Sequence, residues 1–244
     1  MFRFSKLALP LLASVMAFIP SIGSAHGIWV AQRHDDMAVV YGHGSSDEGY
    51  DPAKLTSLVA KAADGSEVVI ERKVMDDHVT FAPPAKAVIM LATFDNGFWS
   101  KGADGEWVNK PKNEVPGATE GGQYLKTSVT YADHIEGTPK AQGMELEIVP
   151  SVDPTKLKAG DKLEITLLMG GKPVPDTEVI AEYTTDSDNK SIKTDTNGKA
   201  TIIVRNTGLN VVAASVEKPL DDKTKADEIG YFTTLTFNLH YHSE

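Results

Sequence analysis

Short apolar runs separated by turn residues dominate the chain from residue 27 onward. GIWVAQ and MAVVYGH are two such runs, joined by the Asp-rich segment RHDD, and the spacing predicts a hairpin in which residues 28–33 pair antiparallel with 37–42. SEVVIERKV, HVTFAP and AKAVIMLATF continue the pattern, with Ala-Asp-Gly and Met-Asp-Asp-His as turn material. Residues 95–122 are rich in Gly, Pro, Asn and charge. Within them GFWSKGADGEWVNK reads as a long loop or a loose hairpin with its tip at Ala103–Gly105. QYLKTSVTYADHI suits a strand or a helix equally, because its periodicity does not separate the two. From Met144 the text becomes short alternating runs with turn signals every eight to twelve residues, the trace of a β-sandwich. Pro173 and Pro175 stiffen a strand entry there, and Asn197-Gly198 reads as the positive-φ pair of a tight hairpin.

These elements predict an all-β chain. An N-terminal β-rich domain is expected over residues 26–143 and a β-sandwich over 144–244, with a boundary near 140–145. Residues 1–25 read as an export signal: Arg3 and Lys6 precede the apolar run Leu7–Pro20, and small residues at Gly23 and Ala25 suit a signal peptidase. That run is short for a membrane span and contains Pro10. No later segment approaches a membrane span in length, so the processed chain is expected to be periplasmic and not inserted in the membrane.

Charge and cysteine content narrow the function. The 244 residues carry a formal charge of −10, which becomes −12 once Arg3 and Lys6 leave with the signal. Such a balance disfavours nucleic acid and anionic membrane surfaces and mildly favours cations. There is no cysteine, so neither a disulfide framework nor a thiolate metal site can form. No nucleophile elbow, phosphate loop, His-Glu-x-x-His or dinucleotide fingerprint occurs, and SSDEGYD lacks the spacing of a calcium loop.

Histidine therefore carries the candidate chemistry. Cleavage after Ala25 would make His26 the first residue, with two nitrogen donors, its α-amine and its Nδ1. Such a pair with one or two further imidazoles suits nickel, cobalt or copper. His43 ends the second strand, bracketed by Gly42 and Gly44, and the predicted hairpin brings it to the same end as His26. His240 and His242 share one polar face of the extended tail LTFNLHYHSE, opposite Leu235, Phe237, Leu239 and Tyr241. Turn solvation accounts for His34 and His78, and His134 stands beside Asp133. Trp29, Trp99 and Trp107 read as core and loop anchors.

The order of these features is similar to a family of periplasmic components associated with cobalt and nickel uptake. The likeness rests on HGIWV, YGHG, GFWSKGADGEW, QYLKTSVTYAD, LEIVPSVDPTKLKAGDKLEITLLMGGKPVPDTEV, TDTNGKATIIV and YFTTLTF. It implies an immunoglobulin-like C-terminal half, of the carboxypeptidase-regulatory or collagen-binding-B-like kind. It also implies capture of Ni²⁺ or Co²⁺ through His26 and His43 for a membrane transporter of ABC or energy-coupling-factor type. The expectation is thus a non-catalytic metal-binding protein, with Cu²⁺ as the alternative ion. Two other readings compete: a copper-dependent oxidative enzyme built on the N-terminal histidine, and a structural or adhesive sandwich with incidental histidines.

Overall fold

The computed structural model describes residues 26–239. The expected signal, residues 1–25, and the tail histidines His240 and His242 lie outside the described residues. The described chain is all β, interrupted by single 3-10 turns at Pro52–Lys54, Lys112–Glu114 and Pro154–Lys156. No helix among the described residues is long and apolar enough to cross a membrane.

Three sheets form. The first runs in the order β1 (Gly27–Arg33), β2 (Asp36–Gly42), β6 (Val79–Phe81), β5 (Arg72–Val74). The second joins β10 (Leu146–Pro150) to β11 (Lys162–Met169), whose other edge takes β12 (Lys172–Pro173) and β15 (Lys199–Ile203). The third is the longest. It runs β14 (Ile192–Lys193), β13 (Glu178–Ile180), β16 (Leu209–Pro219), β17 (Glu228–Asn238), β9 (Glu120–Tyr131), β7 (Ile89–Lys101), β3 (Leu55–Lys61), β4 (Glu67–Val68). A short strand, β8 (Trp107–Val108), pairs with the far end of β7.

The sandwich follows from alternation. Leu163, Ile165, Leu167 and Met169 of β11 point inward, alternating with exposed Lys162 and Glu164 and half-buried Thr166 and Leu168. They meet Val179, Val212, Leu235 and Phe237 of the long sheet in one core. QYLKTSV belongs to strand β9, which lies parallel to β17 with Lys126 opposite Phe232 and Ser128 opposite Thr234. The long sheet therefore continues across the boundary expected near residue 143. Only Gly198 of the Asn197-Gly198 pair has positive φ, at 72°. Its N–H donates to the Asp195 carbonyl at 3.0 Å, and β15 beyond it pairs with β11 rather than closing a tight hairpin on β14. The Asp195 side chain, accepting from Asn197 and Lys199 N–H groups, selects this wider turn.

The β1–β2 hairpin lies over the long sheet and is buried on both faces. Ile28 and Val30 enter a core with Tyr50, Phe81 and Phe94, while Trp29 and Ala31 enter another with Tyr183, Val211 and Phe232. This explains why GIWVA is apolar without alternation. Each large side chain so buried contributes about 1.5–3 kcal/mol. Two polar groups tie this strand to the sheet beneath: Thr234 Oγ1 donates to the Ile28 carbonyl at 2.7 Å, and Lys126 Nζ to the His26 carbonyl at 2.5 Å.

Candidate metal centre

The hairpin register places the two leading histidines side by side. Gly27 pairs with Gly42 as the last rung of the β1–β2 ladder, so His26 and His43 leave the two strands at one end. Their ring centroids are 6.4 Å apart with planes at 64°. At this separation a metal about 2 Å from a nitrogen of each ring would have to lie nearly on the line between the two rings. Gly42 is required for the turn that follows, because a Cβ there would lie 2.3 Å from the Ser46 carbonyl oxygen.

The surroundings of His26 hold it in one orientation. Its ring stacks on Tyr41 at 5.1 Å and 12°, and its Nε2 lies 3.0 and 3.1 Å from the two carboxylate oxygens of Glu48. A carboxylate accepting from Nε2–H leaves Nδ1, the nitrogen nearer the main chain, as the lone-pair donor, an arrangement common around metal-binding histidines. Glu48 is itself held. Its N–H donates to the Tyr41 carbonyl at 2.7 Å, and Ser46 Oγ donates to its Oε1 at 3.1 Å while accepting from His43 N–H at 2.7 Å. His43 is more open: Nδ1 lies 3.4 Å from the Tyr183 hydroxyl and Nε2 3.6 Å from Asp188.

Charge beneath the site is unusual. Lys126 is 1% exposed, with Tyr41 and Phe232 ring centroids 5.9 and 5.6 Å from Nζ. Burial first, and the charge of Lys54 second, push its pKa down to about 7. Burial likewise pushes the Tyr41 hydroxyl up to about 12 and raises Tyr183, so both remain protonated hydrogen-bonding groups near neutrality.

A cleft of about 470 Å³ opens beside His26. Tyr50, Trp99 and Trp107 wall it and Lys54 lies in it. The β7 strand builds this wall through a bulge between Asp95 and Phe98, where Gly97 takes φ 75°. The bulge turns Asn96 inward, 1% exposed, to donate to the Tyr41 hydroxyl at 3.3 Å and to accept from Lys54 Nζ at 3.0 Å. Its carbonyl accepts from Trp99 Nε1 at 3.1 Å. GFWSKGADGEWVNK is a hairpin, with Ser100 opposite Val108, and it carries both indoles to the cleft. Trp29 is the core residue expected, whereas Trp99 and Trp107 border a ligand-sized space.

The other histidines lie elsewhere. His78 is bound by Asp77 at 3.0 Å and Asp47 at 3.2 Å, and His134 by Thr155 at 2.7 Å. His34 occupies the hairpin turn at φ 54°. Among the described residues no group of three or more His, Cys, Asp or Glu side chains gathers as a metal cage. Glu48 and Lys126 were not singled out from the sequence. Glu48 could have been, since it follows His43 by one short Gly-Ser turn; nothing local to QYLKTSV marks Lys126 as buried.

Comparison with known proteins places the chain in a family. A family described as "Domain of unknown function (DUF4198)" matches residues 23–218. The chain belongs to the DUF4198 family. An uncharacterized protein of Haemophilus influenzae is similar, 29% identical over 161 residues, covering 65% of this chain and 68% of the relative. His26, His43, Glu48 and Lys126 all fall within the DUF4198 match, and His240 and His242 lie beyond it.

Proposed function

We propose that this DUF4198 protein is an exported, non-catalytic carrier of a divalent transition metal, Ni²⁺ or Co²⁺ with Cu²⁺ as the alternative. In this reading the chain is processed after Ala25 and works in the periplasm. The metal is held by the His26 amine, His26 Nδ1 and His43, and is passed to a membrane uptake transporter. The observation that carries the proposal is the pairing of His26 with His43 at 6.4 Å while Glu48 engages His26 Nε2. Two side chains alone make an incomplete cage, and the amine released by processing supplies the missing donor. All-nitrogen ligation without thiolate suits the later divalent metals.

Calorimetric titration of the processed protein with Ni²⁺, Co²⁺ and Cu²⁺ tests this. Tight one-to-one binding, lost in His26→Ala and weakened in His43→Ala, is expected; binding unchanged in both variants would refute it. A second reading, a copper-dependent oxidative enzyme, is favoured by one observation, the two indoles in the cleft that His26 borders. Peroxide formation by the copper-loaded protein with a reductant would distinguish that reading, and its absence would remove it.

A further inference from the structure

We infer that the cleft beside His26 binds a small organic carboxylate that arrives as a metal chelate, so that metal and chelator are captured together. The inference rests on the metal reading above and names what accompanies the metal.

Lys54 is the centre of the argument. Its ammonium has three N–H donors, and two are spent on neutral acceptors, Asn96 Oδ1 at 3.0 Å and Asn109 Oδ1 at 2.9 Å. It makes no ion pair with a carboxylate among the described residues, although the chain is strongly acidic. The two acceptors are fixed from behind, Asn109 Nδ2 donating to the Phe98 carbonyl at 2.7 Å and Asn96 Nδ2 to Tyr41. Lys54 Nζ also sits 5.5 Å from the centroid of the Trp99 ring, which restricts its movement. Two donors of this cation at the cleft's edge are thus accounted for, and the third is the one a guest carboxylate would take.

The rest of the lining specifies a bifunctional guest. Trp99 and Trp107 offer flat apolar surface suited to a carbon skeleton, and about 470 Å³ falls in the range of small-molecule sites. Glu48, Asp51 and Glu106 also border the cleft. Three carboxylates repel a free anion but attract a metal cation, so a carboxylate is best admitted when it carries the metal with it. A contact chain joins the two ends: His26 stacks on Tyr41, Tyr41 accepts from Asn96, and Asn96 accepts from Lys54. His26 and Lys54 both border the cleft, so a chelate lying in it would present a carboxylate to Lys54 and its metal to His26. Its remaining donors would complete the coordination that two histidines leave open.

Equilibrium dialysis with radiolabelled citrate tests the inference, using the processed protein with and without Ni²⁺. Citrate should be retained in one-to-one ratio with Ni²⁺ and hardly at all without it. Lys54→Gln should lower citrate retention at least tenfold while binding Ni²⁺ alone as the parent does, which also reports that the variant is folded. Should Lys54→Gln lose Ni²⁺ as well, Trp107→Ala, another residue of the cleft's lining, decides by the same two readouts. Retention of Ni²⁺ without citrate, or citrate retention equal in parent and variants, overturns the inference and leaves the metal reading standing. Failure to retain Ni²⁺ under any condition overturns both.

Discussion

Lys126 makes the strongest quantitative demand on the structure. It is fully enclosed beneath His26, and burial lowers its pKa from 10.5 to about 7. The unfolded chain keeps this lysine protonated up to the ordinary value, so between pH 7 and 10.5 it binds one proton more than the folded chain. Unfolding free energy must then rise with pH across that window, at up to about 1.4 kcal/mol per pH unit. Over the whole interval the contribution reaches about 5 kcal/mol as an upper bound, and the Tyr41 and Phe232 ring faces reduce it by favouring the cation. Lys126→Met removes the titrating group and keeps most of the volume. It also strips the His26 carbonyl of a donor, a loss expected to be nearly independent of pH. Urea unfolding of both proteins at pH 6, 7, 8 and 9, with chelator present to exclude metal, isolates the effect as the difference between them. That difference should move in favour of the parent by roughly 1 kcal/mol per unit above pH 7. A flat difference would refute the claim that Lys126 is buried and neutral at high pH.

Other perturbations follow from the same geometry. Glu48→Gln should weaken Ni²⁺ binding about 10–100-fold without abolishing it, since Glu48 orients His26 rather than replacing it; loss as complete as in His26→Ala would make Glu48 a direct ligand. Gly27→Ala would place a Cβ 2.7 Å from Phe232 Cε1 and 3.0 Å from Tyr183 Cε1. It should cost about 1–3 kcal/mol in thermal or urea unfolding, and an unchanged midpoint would contradict the packing of β1 on the long sheet. The His78 imidazole is held above its ordinary 6.5 by Asp77 first, with burial opposing and Asp47 adding to the rise. Its contribution is present below pH 6.5 and lost as pH climbs through the raised value, within the ~0–1 kcal/mol of an exposed pair. Asp77→Asn should lower the His78 pKa in an NMR titration, and an unmoved pKa would deny that contact.

The sequence was most legible where local rules dominate. RHDD between two apolar runs is enough to define the β1–β2 hairpin, and that hairpin alone makes His26 and His43 neighbours. The alternation in β11 likewise suffices to define one face of the sandwich. What escaped reading depends on distant pairing. The parallel contact of β9 with β17 joins residues about a hundred positions apart, and no local pattern announces it. It is this pairing that encloses Lys126 between the hairpin and Phe232. The bulge at Gly97 was equally silent, since Asp-Asn-Gly reads as a plain turn. Its effect is to aim Asn96 inward and to make Trp99 a cleft wall instead of a loop anchor.

The central claim is that the free amine of His26 is a metal donor. The direct test compares Ni²⁺ titrations of two otherwise identical chains, one beginning at His26 and one retaining Ala25 before it. Retention of Ala25 converts the amine to a peptide nitrogen and leaves both imidazoles and Glu48 in place. The account predicts tight one-to-one binding to the first chain and at least ~100-fold weaker binding to the second, about 2.7 kcal/mol. Equal affinity in the two chains would contradict it.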